Sequence, residues 1–330
     1  MNVAGAQRRS WWMAALLVTA PAVAAPPVLE LPIACAMGKV CVVQNYVDED
    51  RGPGAKDYRC GFLVYDGHKG TDIRVADLPA FDRGVAVLAA ASGRVRAIRD
   101  GMADVPVSSP EAKSAIRGRE AGNSVVIEHG EGWETQYAHM RKGSVAVRPG
   151  ERVEAGQVLG LVGLSGNTEF PHLHFELRRE RKTVDPFVGI AGGEPCAAGR
   201  EPLWSGQAMR ELAYVPTGLL GAGFSDAPPR MTAGSARPAE IRGSSPAIVF
   251  WAQVYGARAG DEQELRLVGP GGRVLVERRI PVARNLAQSL VYVGARRREK
   301  SWPVGEYRGT YRLSRGGEKV VDAAASGVVK

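Results

Sequence analysis

From about residue 61 to residue 187 the sequence advances in short runs of β-type residues cut by glycine or Pro-Gly. VAVLAAASGRVRAI (85–98), NSVVIEHG (123–130), ETQYAHM (134–140), GSVAVRPGERVEAGQVLGLVG (143–163) and PHLHFELRR (171–179) keep this rhythm. Val, Ile and Tyr favour extended backbone, and the glycines close turns at short intervals. The pattern predicts an all-β, mainly antiparallel domain over residues 61–195. Residues 100–121, DGMADVPVSSPEAKSAIRGREA, break the rhythm. They read as a polar insertion with a short helix around 111–117.

The rhythm pauses at IAGGEPCAAGREPLW, residues 190–204, whose composition marks a boundary, with a linker at 196–204. It resumes in AIVFWAQVYGARAGDEQELRLVGPGGRVLVERRIPV, where Pro270-Gly271-Gly272 occupies a hairpin turn. In GEYRGTYRLSR, Tyr307, Tyr311 and Leu313 alternate with Arg308, Thr310 and Arg312. Short strands at this spacing predict a small immunoglobulin-like β-sandwich over residues 205–330. That stretch contains no His, and its aromatics read as core rather than as a glycan surface.

At the other end, Arg8 and Arg9 precede an apolar run that ends in Ala22-Val23-Ala24. This is the build of a secretory signal peptide, residues 1–24, cut after Ala24. The run is short for a membrane anchor and Pro21 breaks it. The expectation is an exported protein of the periplasm or cell envelope, with no stable membrane insertion. Residues 25–60 read as a Pro- and Gly-containing lead-in. Loss of the leader lowers the formal charge from +8 by its two arginines, to +6. A mildly basic exported chain suits an anionic partner such as cell wall, or simply carries a solvated basic surface. No nucleic-acid partner is expected. Cys35, Cys41, Cys60 and Cys196 suggest two disulfides in that compartment. Of three pairings, Cys41–Cys60 with Cys35–Cys196 is the one expected, since it ties the lead-in to the end of the first domain. A zinc-thiolate site lacks the C-x-x-C spacing it would need.

The chain has five histidines, and two of them sit in HLHFEL, residues 172–177. In a strand, His172 and His174 share one face roughly 6.6 Å apart, while Leu173, Phe175 and Leu177 bury on the other. His68 and Asp72 stand in HKGTD, and His139 in YAHM. His, Asp and His suit Zn²⁺. In a straight strand His68 and Asp72 would lie about 13 Å apart, too far to share an ion, so the segment must bend. Gly70, midway, supplies the dihedral freedom for that bend.

Taken in order, HKGTD, NSVVIEHGEGWETQYAHM and VEAGQVLGLVGLSGNTEFPHLHFEL resemble the successive motifs of the LytM/lysostaphin-type zinc endopeptidases. The resemblance runs from about residue 62 to 187. It implies a compact antiparallel β-fold with a groove over the sheet. It also implies one zinc held by His68, Asp72 and His174, with His139 and His172 as the unligated catalytic pair. The implied activity is hydrolysis of peptide cross-links in peptidoglycan, with D-Ala–diaminopimelate links the expected target. Met140 where Leu is usual, the 100–121 insertion and the long DLPAFDRG after the first motif depart from the pattern.

Elementary chemistry agrees. Three protein ligands leave a fourth zinc position open, and zinc lowers the pKa of water from 15.7 to about 7. His172 then serves as general base, worth roughly 10²–10⁴ in rate. His139 is expected to hydrogen-bond the oxyanion or the attacking water. His129 reads as a scaffold residue and Asp185 as a turn-former before Pro186. Glu176 would orient a ligand if its strand is regular. A contrasting reading is a non-enzymatic LytM-type module that activates a cell-wall amidase; such modules lose ligands, whereas every ligand position here is filled. A metallo-β-lactamase-type hydrolase would need Asp-His after the pair, where Phe175-Glu176 stands. In a fourth reading the sandwich makes this an adhesion or assembly protein.

Overall fold

The computed structural model describes residue 1, residues 25–231 and residues 236–330. The expected leader thus lies, residue 1 apart, outside the described residues. Among those residues, no helix is long and apolar enough to cross a membrane.

Ten strands follow in the first unit: β1 (Cys41–Asn45), β2 (Thr71–Val75), β3 (Ala86–Leu88), β4 (Gly93–Arg99), β5 (Asn123–Gly130), β6 (Trp133–Met140), β7 (Arg152–Val153), β8 (Val158–Leu161), β9 (His172–Arg179) and β10 (Lys182–Val184). Eight form one sheet in the order β1-β2-β9-β6-β5-β4-β7, with β10 on the far half of β9. All its pairings are antiparallel. β3 and β8 pair as a separate ribbon, and their Val87 and Leu159 bury in the same core.

Strand β9 shows why the sheet has one dry face. Leu173, Phe175 and Leu177 are fully buried in one core with Tyr137, Val125 and Ile127. The alternating positions His172, His174, Glu176 and Arg178 form the opposite, polar face. Burying one such apolar side chain stabilises by roughly 1.5–3 kcal/mol, so a one-residue slip of β9 would be strongly disfavoured.

Two short helices interrupt the β rhythm. DLPAFDRG folds as α1 (Leu78–Arg83), capped by the Asp77 carboxylate accepting from Ala80 N, with a proline in its first turn. The insertion carries α2 (Pro110–Ala115), capped by Ser109 accepting from Ala112 N.

The lead-in belongs to this sheet. It supplies β1, and Leu29 and Ile33 are buried in the first core. Beyond the sheet, Leu203 and Trp204 return to that core. Leu29 N donates to Leu203 O and Ser205 N to Leu29 O. The short helix α3 (Gly206–Glu211) follows and adds Ala208.

Among its described residues the last unit has seven strands: β11 (Gly218–Ser225), β12 (Ala247–Ala257), β13 (Glu262–Val268), β14 (Val274–Pro281), β15 (Leu286–Arg296), β16 (Gly305–Arg315) and β17 (Glu318–Val329). They form two antiparallel sheets, β11-β12-β15 and β14-β13-β16-β17, around a second core. Tyr307, Tyr311 and Leu313 bury in it, and Pro270–Gly272 makes the β13–β14 turn.

The cysteines pair differently from the expectation. The bonds are Cys35–Cys41 and Cys60–Cys196, not Cys41–Cys60 and Cys35–Cys196. A tight turn, with Gly38 N donating to Cys41 O, folds residues 36–40 back and brings Cys41 to Cys35. Cys60 meets Cys196 because Tyr58 stacks on Phe187 at 4.8 Å, joining the two loops. The lead-in is still tied to the end of the first unit, but through Cys60.

Candidate metal centre

The centre of the sheet's polar face gathers the four histidines and the aspartate singled out in the sequence. Asp72 on β2 lies directly across from His174 on β9, and Arg74 across from His172. Antiparallel neighbours in this register have side chains close enough to touch. His68 enters from the loop before β2. The expected bend between His68 and Asp72 is present, but Gly70 serves it differently. It does not occupy the left-handed backbone region. What it provides is room: a Cβ there would lie 2.6 Å from Phe175 O and 2.7 Å from the His174 ring.

The donor atoms converge. His174 Nδ1 is 2.8 Å from Asp72 Oδ1, and His68 Nε2 is 3.2 Å from that oxygen and 3.2 Å from His174 Nδ1. His172 Nε2 stands 3.4 Å from Asp72 Oδ1, and the His139 ring lies 4.6 Å from that of His172. All five side chains are buried or nearly so, with only His174 partly open at 17%.

Backbone carbonyls set three of the imidazoles. His68 Nδ1 donates to Tyr46 O at 2.6 Å, His139 Nδ1 to Ser165 O at 2.8 Å and His172 Nδ1 to Phe170 O at 2.9 Å. Each therefore turns an Nε2 lone pair toward the middle of the cluster when neutral. Asn45 Nδ2 donates to Asp72 Oδ2 at 2.9 Å, leaving Oδ1 to face the histidines.

The electrostatics follow from burial and neighbours. Burial acts most strongly on Asp72 and would raise its pKa, yet His68 and His172 hold it well below the usual carboxylate range. His139 is pushed well below the ordinary histidine value, first by burial and then by His172 and His174.

Two triads place ligand atoms within 4.8 Å of one another: His68, Asp72 and His174, and His139, His172 and His174. Ligands about 2.0–2.1 Å from a tetrahedral ion sit roughly 3.3 Å apart. The 2.8–3.2 Å separations in the first triad fit that spacing, and its N₂O donor set suits zinc.

Other residues fall into scaffold roles. His129 lies away from the cluster, bonded to Ser92 O and Thr135 Oγ1. Asp185 accepts from Phe187 N in a turn. Glu176 shares the polar face, but its carboxylate is engaged by Thr183 and Arg178 rather than by a histidine. Sequence reasoning missed Asn45, the Tyr46 carbonyl and Thr168, whose Oγ1 is 3.0 Å from His172 Nδ1. It also missed buried Arg74, which bonds Gln44 at 2.6 Å and lies over Phe170. Arg74 was within reach of period-two logic, being two residues from Asp72; Asn45 carried no local signal.

Comparison with known proteins locates the same region. The family model "Peptidase family M23" matches residues 66–186. The chain is 37% identical over 89 residues to the cell division protein DipM of Caulobacter vibrioides, covering 24% of this chain and 14% of that protein. It is 47% identical over 57 residues to the peptidoglycan DD-endopeptidase ShyA of Vibrio cholerae, covering 17% and 13%. These matches thus span well under two thirds of the relatives' length. Among solved structures, a zinc-containing peptidase from Vibrio cholerae aligns at 26% identity over 44% of this chain and 39% of its own, with a TM-score of 0.28. With its motif residues gathered at one point of an antiparallel sheet, this chain carries, over residues 66–186, a domain of peptidase family M23.

Proposed function

We propose that the protein is an exported zinc-dependent endopeptidase of the cell envelope that hydrolyses peptide cross-links in peptidoglycan. The observation that carries this reading is the convergence of His68 Nε2, Asp72 Oδ1 and His174 Nδ1, flanked by His172 and His139. The first three side chains would hold one zinc ion. When bound, zinc supplies Lewis acidity to the scissile carbonyl and lowers the pKa of water to about 7.

The remaining steps belong to the chain's own groups. His172, its Nδ1 proton held by Phe170 O, takes a proton from the attacking water at Nε2. The same nitrogen can return it to the departing amine, so water adds across the C–N bond with no net proton change. His139 has its Nδ1 proton on Ser165 O, so its Nε2 is an acceptor. That favours orienting the water over donating to an oxyanion. Retention of all ligand positions favours hydrolysis over a role as an amidase activator.

The test is metal content by elemental analysis, followed by digestion of defined cross-linked muropeptides with mass analysis of the products. The expected result is one zinc per chain and cleavage that a chelator stops. His172→Ala should keep zinc and lose at least about 10²-fold in rate. A metal-free protein, or cleavage indifferent to chelator, would refute the proposal; zinc loss in His172→Ala would mean the roles are misassigned.

A further inference from the structure

The sandwich has a cleft of about 840 Å³ at its open edge. Strands β14 and β15 are the terminal strands of the two sheets there. The cleft lies between the Pro270–Gly272 turn with the start of β14 and the end of β15 with residues 297–303. Its size falls within the range of ligand pockets. Val274, Leu275 and Val276 give it an apolar lining, backed by the buried rings of Trp302 and Tyr307. The two rings are fixed, since Trp302 Nε1 donates to Ser245 O and Tyr307 OH to Pro303 O.

The mouth is cationic. Arg297 is committed to backbone, donating to Ser245 O, Glu299 O and Lys300 O, which pins the 297–300 segment. Arg273, Arg296 and Arg298 also line the cleft, and no side-chain hydrogen bond or ion pair to them exists among the described residues. By contrast Arg242, Arg266, Arg279, Arg312 and Arg315 each pair with a carboxylate. Glu299 is the one acid in the lining and makes no ion pair among the described residues. Residues 205–330 hold nineteen Lys and Arg against eleven Asp and Glu, whereas residues 25–204 hold twenty-two against twenty-four. The cationic excess of the mature chain therefore resides in the sandwich.

We infer that this cleft is a second binding site, for carboxylate-bearing peptide stems of peptidoglycan. The guanidinium forks match carboxylates in two-pronged pairs, and exposed Val274 with half-buried Leu275 and Val276 gives the aliphatic body of a stem a surface to lie on. The choice of a stem peptide as ligand rests on the peptidoglycan reading above; the preference for an organic anion rests on the cleft itself.

The test uses the full mature chain carrying His174→Ala, so that ligand is not consumed. Calorimetric titration compares a soluble disaccharide-tetrapeptide with the same compound amidated at its carboxyls. Amidation, or the triple change Arg273→Gln, Arg296→Gln, Arg298→Gln, should each weaken binding about tenfold or more. Because the histidine cluster would meet the same ligand, the loss in the arginine variants is what assigns the binding to this cleft, and the single changes Arg273→Gln and Arg298→Gln serve if the triple variant folds poorly. Equal affinity for the two compounds, or displacement by inorganic phosphate without any amidation effect, would overturn the carboxylate assignment. Because binding is read without turnover, a wild-type chain whose binding depends on these arginines but which never cleaves refutes the hydrolase and leaves this inference standing.

Discussion

His139 has φ +60, in the left-handed region that costs an L-residue about 1–2 kcal/mol. Tyr137, two residues earlier, packs on Phe175 in the core. Strict alternation would send His139 to that same dry face. The left-handed turn redirects its ring to His172, on the polar face. The strained backbone there is offset by the surrounding contacts, His139 N on Ala121 O and Gly163 N on His139 O. Gly70 is the other residue where space decides. Gly70→Ala should displace the His174 ring, weaken the proposed zinc binding and cost about 1–3 kcal/mol. Metal content and thermal midpoint of the variant check this; a Gly70→Ala chain with full zinc would show that the loop gives way instead.

At the scale of elements, the polar face depends on which strands lie beside β9. Strand β1, out of the lead-in, sets Asn45 on Asp72 and, just past its end, the Tyr46 carbonyl on His68. The turn after β10 carries a different consequence. Asp185 is buried, one carboxylate oxygen accepts from Phe187 N and the other has no partner among the described residues. Burial, aided by the charges of Glu49 and Asp57, raises its pKa to about 8. The unfolded chain releases that proton at about 3.9. The folded state thus binds more protons between these values, and stability falls as pH rises from about 4 to 8. Asp185→Asn keeps the acceptor to Phe187 N and removes the titration. Its thermal midpoint should exceed that of the wild type at pH 8 and approach it near pH 4; a constant difference across this range would contradict the assignment.

Across the whole molecule, the Cys60–Cys196 bond closes a separation of 136 residues. A loop of that length stabilises by up to about 5 kcal/mol through the unfolded state. It also holds residues 190–204 where Leu203 and Trp204 can reach the first core. Replacing both cysteines with serine should lower the thermal midpoint and expose 190–204 to proteolysis, as mass mapping of early cuts would reveal. Loss of midpoint without cutting in that segment would assign the bond a role in the unfolded state alone. Leu220 on β11 and Tyr255 on β12 join the first core, so one sheet of the last unit contributes to both cores, while the charge balance of residues 25–204 and 205–330 is opposite in sign.

The sequence by itself determined the β character of both units, the helix in the insertion, the alternation along β9 and the histidines and aspartate of the cluster. These are local or periodic signals: strand period, turn residues and short motifs are written within a few neighbouring positions. Only the tertiary structure decided the disulfide pairing, the place of the lead-in in the sheet, Asn45 behind Asp72 and the turning of His139. Each of those depends on contacts between residues far apart in the chain or on a backbone angle that its surroundings impose, and neither leaves a periodic trace in the order of residues.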